Sequence, residues 1–275
     1  MAAIELGLVG SGIARSQAPR LHEVAASICG LDLSYCLFDL GEDETVSFEH
    51  EIEELAARGL RGVNVTHPFK ERAAAMVDIP DAGTRSIGAV NTIRFSDFTG
   101  HNTDYSGFMK AFRNRFGAAS PGSVLMLGAG GVGRAVAFGL ATLDPDVCLR
   151  IVDIDTEKAE GLASELRAVN LDCTAHPRSE LDGLAGVDGL INCTPLGMYQ
   201  YPGNAFPDSL FHGQRWAFDA VYTPVHTPFL NQARANGLEV LTGYELYFYQ
   251  GVDAFEIFTG TAVDPEVLRE RLTRA

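Results

Sequence analysis

The chain of 275 residues has no long hydrophobic run, and acidic residues far outnumber basic ones. No apolar stretch approaches the roughly 18–20 residues that a membrane-spanning helix requires. Because 21 lysines and arginines stand against 36 aspartates and glutamates, the net charge is −15, which argues against nucleic acid and anionic membranes as partners. The first residues lack the basic and apolar segments of a signal peptide, so we expect a cytoplasmic protein.

Cysteine and histidine are few and form no motif. The five cysteines are odd in number and lack Cys-x-x-Cys spacing, which favours reduced thiols in the core over a disulfide framework. The seven histidines show neither His-x-x-His nor His-Glu-x-x-His spacing, so no metal site is predicted. Because the net charge of the chain is negative, a phosphate or carboxylate ligand must be held by local hydrogen-bond donors.

Strand and helix patterns alternate along the whole chain. Strand-like apolar segments recur from Ile4–Val9 to Ala89–Phe95, and the series restarts at Ser123–Leu127 after the small, flexible stretch Gly117–Gly122. This order predicts an α/β fold with mostly parallel sheets and helices on both faces.

Two helical segments, Tyr105–Phe116 and Glu245–Phe258, are the expected connections between two lobes. The chain exceeds the length of one typical domain, which also favours two. We expect a first lobe of residues 1–105 with 244–275 and a second lobe of residues 106–243.

The second series opens with a glycine-rich turn between a strand and a helix. Glycines permit a tight turn and let backbone N–H groups approach a pyrophosphate at a helix N-terminus. We predict that this loop binds a dinucleotide; a glycine-rich turn without a ligand is the alternative. Its residues are Gly128, Ala129, Gly130, Gly131, Val132 and Gly133.

Asp153 ends the next predicted strand, 20 residues beyond Gly133. An acidic side chain at this place accepts hydrogen bonds from the adenosine ribose and repels a 2′-phosphate, and no arginine follows it. The pattern therefore favours NAD over NADP, with a strand-end turn residue as the alternative.

Gly10-Ser11-Gly12, after the first strand, looks like a second fingerprint. It lacks the third glycine and reaches Pro19 before any helix, so we predict that it binds no dinucleotide.

In the first series, the apolar strand Leu60–Val65 runs into a turn at Pro68 and ends on Lys70. A lysine can act as acid or base where burial or a cationic neighbour lowers its pKa. An isolated surface lysine at the start of a helix is the alternative.

Six segments of the chain match, in order, the motifs of one protein family: Asn64–Lys70, Gly88–Thr92, Gly100–Asp104, Asn192–Met198, Asp219–Pro224, and Gln250 with Phe255-Glu256. On these segments the chain resembles the shikimate/quinate dehydrogenase family over nearly its whole length. That family oxidises the C3 hydroxyl of a cyclic polyhydroxy acid of the aromatic amino acid pathway by hydride transfer to a nicotinamide. The resemblance implies a substrate domain in the first lobe, a Rossmann-type NAD domain in the second, and closure that excludes water.

The resemblance makes Lys70 and Asp104 the catalytic pair. Oxidising an alcohol requires a base for the hydroxyl proton, and Lys70 is the expected proton acceptor. Asp104 is expected to orient Lys70 and to bind a ring hydroxyl, although it can also cap the helix Tyr105–Phe116.

Further site residues are implied in the same way, with ordinary turn, cap or core roles as the alternatives. Neutral amides and hydroxyls can both donate and accept, as a polyol requires. The substrate-binding residues are Ser16, Thr66, Asn91, Asn102, Tyr222 and Gln250. The nicotinamide-side residues are Thr194, Ala220, Val221 and Gly243.

Two departures from the family pattern affect specificity. NADP-using members carry Asn-Arg-Thr where this chain has Asp153-Ile154-Asp155, which resembles the NAD-preferring quinate/shikimate branch. Ala18 stands where the second of two carboxylate-binding hydroxyl residues is expected, after Ser16. Losing such a hydrogen bond costs about 1.5–3 kcal/mol, unless another donor such as Arg15 replaces it.

We therefore expect an NAD-dependent dehydrogenase of quinate, shikimate or a related cyclic acid, as a monomer or homodimer. The alternatives are a family member acting on an amino-substituted or non-carboxylate ring, and an NAD-binding regulatory protein with little turnover.

Overall fold

The computed structural model describes residues 3–41 and 47–274, so the predicted outer limits of the first lobe, residues 1 and 275, lie outside it. The chain forms two compact units. The first comprises the residues up to Ser106 and from Phe248 onward, and the second comprises Gly107–Tyr247. Within the described ranges, no helix is long and apolar enough to cross a membrane.

Strands and helices alternate along the chain, which confirms the α/β class. The strands are β1 (Ile4–Gly10), β2 (Leu33–Asp39), β3 (Gly62–Val65), β4 (Thr92–Arg94), β5 (Thr99–His101), β6 (Ser123–Leu127), β7 (Cys148–Asp153), β8 (Asp172–Pro177), β9 (Gly189–Asn192), β10 (Trp216–Asp219) and β11 (Glu239–Leu241). The α-helices are α1 (Ala18–Cys29), α2 (Phe48–Ala57), α3 (Lys70–Met76), α4 (Ala82–Ile87), α5 (Thr103–Phe116), α6 (Gly131–Leu143), α7 (Thr156–Ala168), α8 (Pro228–Ala235), α9 (Gly243–Thr259) and α10 (Pro265–Arg274). Short 3-10 helices span Arg178–Leu184 and Asp208–Leu210.

The sheet of the first unit has the order β2-β1-β3-β4-β5. β1 pairs in parallel with both β2 and β3, whereas β4 and β5 add an antiparallel pair of short strands beside β3. The strand predicted at Ala89–Phe95 is shorter in the structure, and neither β5 nor α4 was predicted. Strands of three residues are too short to show the alternation by which a strand is recognised.

Apolar clusters cover both faces of this sheet, because successive side chains of a strand point to opposite faces. One face packs against the C-terminal part of α9 and includes Leu6, Leu8, Ile13, Tyr35, Ala254 and Phe258. The other face packs against α2 and α3 and includes Val9, Val63, Val65, Phe48, Ile52, Leu55, Phe69 and Ala73.

The sheet of the second unit is fully parallel, with the order β11-β10-β9-β6-β7-β8. Its first strand, β6, lies in the middle between β9 and β7, so the strand order reverses direction at this point. In open parallel sheets, ligands bind beyond the carboxyl ends of the strands at such a switch point. The edge strand β8 was not predicted, since its half-exposed side chains give a weak pattern.

The cysteines differ from the prediction that they are core thiols. All five carry free thiols, but only Cys173 is buried, and Cys36 is exposed. Burial raises the pKa of Cys173 to about 12. The prediction was wrong for most of them. Cys36 in β2 is exposed although its neighbour Tyr35 is buried, because successive side chains of a strand point to opposite faces.

Candidate functional site

The topology of the first unit brings the predicted polar residues to one edge of its sheet. Ser16 follows β1, Thr66 and Lys70 follow β3, and Asp104 follows β5. Asn91 directly precedes β4, and because β4 is antiparallel to β3, its start lies at the edge where β3 ends. Residues far apart in sequence are thus collected at the carboxyl ends of the parallel strands.

Lys70 and Asp104 form an ion pair at this edge. The Lys70 Nζ lies 2.5 Å from the Asp104 Oδ2, and the two side chains are 14% and 9% exposed. Lys70 is the first residue of α3, and Asp104 lies in the first turn of α5. Both side chains are largely removed from water, so the carboxylate is a close and directional partner that fixes the position of the lysine nitrogen.

Asn102 caps α5, a role that the sequence left open for Asp104. The helix begins at Thr103, two residues earlier than predicted, and the Asn102 Oδ1 accepts a hydrogen bond from the Tyr105 N–H at 3.1 Å. The Asn102 Nδ2 donates to the Ala89 carbonyl oxygen at 2.9 Å. Both ends of this buried amide therefore hold the local backbone in place.

Asn91, Thr103 and Gln250 share a hydrogen-bonded centre beside the ion pair. The Asn91 Nδ2 donates to the Thr103 Oγ1 at 3.0 Å, and the Asn91 Oδ1 accepts from the Thr103 N–H at 2.7 Å. The Thr103 hydroxyl is in turn a donor to the Gln250 Oε1 at 3.3 Å. Thr103, which was not predicted, links the two amides and orients them.

A second set of residues missed in the sequence supports this centre from the core. The Tyr35 hydroxyl donates to the Asn64 Oδ1 at 2.8 Å, and the Asn64 Nδ2 donates to the Thr92 Oγ1 at 2.9 Å. His22 stacks on Tyr35, with ring centroids 4.7 Å apart, and burial lowers its pKa to about 3, so its ring is neutral. The sequence signal that could have revealed these contacts is Asn64, a polar residue inside the apolar strand β3.

Ser16, half-buried in the loop before α1, accepts a hydrogen bond at its Oγ from the Ala18 N–H at 3.2 Å. Its hydroxyl hydrogen can therefore still be donated to a ligand. Thr66 lies against Gly10, where an added Cβ would meet the Thr66 Cγ2 at 2.3 Å. Ala18 contributes no polar side-chain atom, in agreement with the departure noted in the sequence.

Donors of the first glycine-containing loop are already engaged by the protein. The Asp39 Oδ1 accepts from the Gly12 N–H and the Asp39 Oδ2 from the Ile13 N–H, both at 3.0 Å. Backbone hydrogen bonds from Gly41 and Gly12 hold the pKa of Asp39 below its usual value. An ionised carboxylate thus takes the place that a phosphate would need.

The glycine-rich loop of the second unit is closely packed at Gly128 and Gly133 and open at Gly130. Gly128 has a φ of 99°, and a Cβ there would lie 2.7 Å from the Cys193 carbonyl group, so only glycine fits. A Cβ on Gly133 would meet the Gly128 carbonyl oxygen at 2.1 Å, whereas one on Gly130 would meet no protein atom within 4 Å. α6 begins at Gly131, and its first N–H groups have no acceptor within the helix.

Asp153 lies beside this loop at the end of β7. Its Oδ2 accepts from the Ala129 N–H at 2.7 Å, and its Oδ1 accepts from the Asp155 N–H at 2.9 Å. A carboxylate has about four acceptor positions, so Asp153 can accept further hydrogen bonds. Asp155 caps α7, and Ile154 between them is 89% exposed.

The predicted nicotinamide-side residues lie at the same edge, after β9, β10 and β11. The Thr194 N–H and hydroxyl both donate to the Asn192 Oδ1, at 3.0 and 2.6 Å. A Cβ on Gly243 would lie 2.5 and 2.6 Å from the carbonyl oxygens of Ala220 and Val221. The structure therefore brings these four predicted residues together.

Asp219, at the end of β10, connects the segments that carry these residues through hydrogen bonds. Its Oδ1 accepts from the Asn192 Nδ2 at 2.9 Å and from the Val221 N–H at 3.0 Å, and its Oδ2 accepts from the Thr227 hydroxyl at 2.5 Å. Burial raises the pKa of Asp219 to about 6, against the opposing effect of these hydrogen bonds.

Tyr222 belongs to the second unit and stacks on Tyr247, with ring centroids 5.1 Å apart and planes at 7°. Burial raises the pKa of the Tyr222 hydroxyl, so it is a neutral donor at physiological pH. The other predicted substrate-binding residues belong to the first unit.

A parallel sheet of this strand order, with a glycine-rich turn beside its switch point, defines a Rossmann-type dinucleotide-binding fold. Joined in one chain to a largely buried lysine–aspartate pair, it indicates an oxidoreductase.

Comparison with known proteins narrows this class to one family. The family described as the shikimate dehydrogenase substrate binding domain matches residues 8–93. A protein of Arthrobacter sp. named shikimate dehydrogenase (NADP(+)) is 40% identical, over 96% of this chain and 92% of its own length. A protein of Corynebacterium efficiens named quinate/shikimate dehydrogenase (NAD(+)) is 34% identical, over 98% and 97%.

Comparison of the fold with solved structures indicates the same family. The solved structure of quinate dehydrogenase from Corynebacterium glutamicum in complex with NAD superposes with a TM-score of 0.91, at 35% identity and 99% coverage of both chains. The chain belongs to the shikimate/quinate dehydrogenase family of oxidoreductases, which use a nicotinamide dinucleotide.

Proposed function

We propose that this protein is an NAD-dependent dehydrogenase that reversibly oxidises the C3 hydroxyl of quinate, shikimate or a closely related cyclic hydroxy acid. In this proposal the first unit is the substrate domain and the second unit is the NAD-binding domain. The observation that carries the proposal is the largely buried Lys70–Asp104 pair, which lies at one sheet edge together with amide and hydroxyl side chains.

The chemistry assigned to Lys70 is proton transfer. Loss of a hydride from the carbinol carbon leaves a ketone only if the hydroxyl proton also departs, and the Lys70 nitrogen, in its amine form, is the acceptor. Bound NAD would supply the hydride acceptor. Asp104 holds the lysine nitrogen in place and accepts a hydrogen bond from a neighbouring ring hydroxyl.

Ring recognition is assigned to the polar residues around this pair. Asn91 and Gln250, oriented through Thr103, present amide groups to ring hydroxyls, and Thr66 adds a hydroxyl. Asn102 already donates to the Ala89 carbonyl oxygen, so only its second amide hydrogen is available for substrate.

We assign the substrate carboxylate to Ser16. Its hydroxyl hydrogen is available because the oxygen accepts from the Ala18 N–H. With alanine at 18, the carboxylate has one hydroxyl donor fewer than in the family pattern, which lowers its affinity by roughly 10- to 150-fold unless another donor compensates. Tyr222 of the second unit supplies a further hydroxyl in this assignment.

NAD is the assigned cofactor because of three successive residues. Asp153 places a carboxylate beside the loop, Asp155 adds a second negative charge, and Ile154 offers no cation for a 2′-phosphate. The named relatives include NAD(+) and NADP(+) enzymes, so the choice depends on these residues.

A substrate panel assayed with both cofactors tests the proposal through the absorbance of the reduced nicotinamide. We expect turnover of quinate or shikimate with NAD, at a kcat/KM well above that with NADP. Turnover of a ring lacking the carboxylate, with none for the carboxylated rings, would instead support the alternative substrate class. Tight NAD binding without any turnover would support a regulatory protein.

The variant Ala18→Ser sharpens the substrate assignment. If the natural substrate carries a carboxylate that is already well held, the added hydroxyl changes KM by less than about threefold, because a redundant hydrogen bond adds little. A gain of tenfold or more on shikimate would indicate that the native site serves a different ring.

A further inference from the structure

Two helices carry residues of the proposed substrate site, and two side-chain hydrogen bonds connect them. α5 carries Asp104 and α9 carries Gln250. The Thr103 hydroxyl of α5 contacts the Gln250 Oε1, and the Ser106 hydroxyl donates to the Asp253 Oδ2. Both pairs are separated by 147 positions in sequence.

The spacing of these contacts gives them a common geometry. Thr103 and Ser106 lie three residues apart on α5, as do Gln250 and Asp253 on α9, and residues at this spacing share one face of a helix. The four side chains therefore form two successive rungs between facing surfaces. One rung leaves a helix able to rotate about the contact, whereas two rungs determine both its rotation and its translation.

Asp253 is a buried carboxylate in apolar surroundings, so its position is unfavourable unless it accepts hydrogen bonds. It is 7% exposed, and its neighbours Val252, Ala254 and Phe255 on α9 are buried as well. Burying a carboxylate is unfavourable unless hydrogen bonds compensate for the lost water. The Ser106 hydroxyl provides one of those hydrogen bonds, from the turn of α5 that also holds Asp104.

We propose that Ser106 and Asp253 are positioning residues, which set the register of α5 against α9 and thereby the placement of Asp104 and Gln250 for the ring substrate. Neither residue contacts the ring in this proposal. The effect on catalysis rests on the proposed function, whereas the effect on helix register does not.

Steady-state kinetics of Ser106→Ala and Asp253→Ala test the proposal. We expect KM for the cyclic acid to rise roughly tenfold in each, the order of effect of one lost charged hydrogen bond, with KM for NAD unchanged within twofold. The double variant is expected to be no worse than the poorer single one, because both remove the same rung. Asp253→Asn keeps an acceptor oxygen and should recover most of the loss.

Ser209→Ala is the matched control. The Ser209 hydroxyl also donates to a carboxylate, that of Asp182, at 2.7 Å, but this pair is exposed and lies in the second unit. The control should leave both KM values unchanged. A purely structural role for Ser106 and Asp253 would lower the thermal midpoint and leave KM for the cyclic acid at its wild-type value, which would overturn the proposal, as would additive losses in the double variant.

Hydrogen exchange separates this result from the proposed function. The amides of the first turns of α5 should exchange faster in Ser106→Ala and Asp253→Ala than in the wild type, and the control should not differ. If the wild type turns over no cyclic acid, the proposed function fails while the exchange data still decide the register. Unchanged exchange in both variants would contradict the register directly.

Discussion

Each unit contains the same local arrangement: a central strand, a glycine-containing loop and a helix, with an aspartate at the end of the neighbouring strand. In the first unit these are β1, α1 and Asp39, and in the second they are β6, α6 and Asp153. In both cases the first strand of the sheet lies between two parallel neighbours.

The two aspartates use their oxygens differently. Both oxygens of Asp39 accept hydrogen bonds from the loop, from the N–H groups of Gly12 and Ile13, and helix α1 starts only at Ala18. Asp153 accepts one loop N–H, that of Ala129, and the helix starts at once at Gly131. The first loop is thus closed on a carboxylate of the protein, whereas the second leads directly into a helix whose first N–H groups have no acceptor within the helix.

This difference shows that a glycine-containing turn after a strand is insufficient evidence for a phosphate site. The two loops differ in how many of their N–H groups an internal carboxylate accepts from: Asp39 accepts from two and Asp153 from one. We propose that the first unit binds the ring substrate and the second binds the dinucleotide, which agrees with that difference. Variants in each unit test this assignment.

The largest effect is expected for Lys70→Ala, which removes the proposed base without altering the second unit. We expect kcat to fall on the order of 10²- to 10⁴-fold while the Kd for NAD stays within twofold. Lys70→Arg should be similarly inactive, since a guanidinium keeps the charge beside Asp104 but does not deprotonate. Stopped-flow turnover and calorimetric titration with NAD measure the two quantities.

Lys110→Ala is the control, because Lys110 is an exposed lysine on α5. Near-normal turnover in Lys70→Ala would remove this residue from the mechanism and leave the first unit without an assigned base.

The next largest effect is expected for a substitution in the glycine-rich loop of the second unit. Gly130 has an ordinary φ of −73°, and a Cβ there meets no protein atom within 4 Å, so Gly130→Ala should fold normally. The methyl group would occupy the space assigned to the pyrophosphate, and we expect the Kd for NAD to rise roughly 10- to 100-fold, equivalent to about 1.4–2.7 kcal/mol.

Gly12→Ala is the matched change in the first loop, where an added Cβ also meets nothing within 4 Å. Its φ of 67° makes alanine strained, so stability should fall while NAD affinity stays unchanged. Calorimetric titration of both variants would contradict the comparison if they lost NAD affinity equally.

A smaller effect is expected at the two strand-end aspartates. Asp153→Asn keeps an oxygen for the Ala129 N–H but removes the charge, so the preference for NAD over NADP should narrow roughly tenfold, the scale of one charged hydrogen bond. Asp153→Ala should weaken NAD further, because the loop loses its acceptor as well. Asp39→Asn should lower the unfolding midpoint and leave both cofactor affinities as they are. An unchanged NAD-to-NADP ratio in Asp153→Asn would count against the ribose assignment.

Much of this architecture could be predicted because its signals are local. The predicted bounds of β6, Ser123–Leu127, match the structure, since this strand is an almost fully buried run of ordinary length. Asp153 could be placed by its distance from Gly133 along the chain. Strands β5 and β8 and helix α4 were missed because they are short or half-exposed.

The supporting contacts of the site could not be predicted, because they depend on how distant segments align. Tyr35 meets Asn64 across β1, and Ser106 meets Asp253 only when α5 and α9 are in register. No spacing in the sequence encodes these pairs. Resemblance to a family transfers residues that contact ligands more readily than it transfers the residues that position them.

The smallest effect on activity is expected at Asp219, whose burial gives the second unit a pH-dependent stability. Because the pKa of Asp219 is raised to about 6 in the folded protein, its neutral form stabilises the fold below pH 4, and this contribution is lost as the pH rises through about 6. Relative to the wild type, Asp219→Asn should therefore gain stability between pH 4 and 7, by up to about 3 kcal/mol, or roughly 5–10 °C in midpoint.

Asp188 provides a control of opposite sign in the same unit, because hydrogen bonds led by the Ser123 N–H hold its pKa below the usual value. Asp188→Asn should be less stable than the wild type at neutral pH, and the gap should close as the pH falls. Thermal unfolding of both variants and the wild type at pH 4, 5.5 and 7 provides the test. Parallel curves for Asp219→Asn and the wild type would show that the pKa of Asp219 is not raised in the folded protein, and would contradict this prediction.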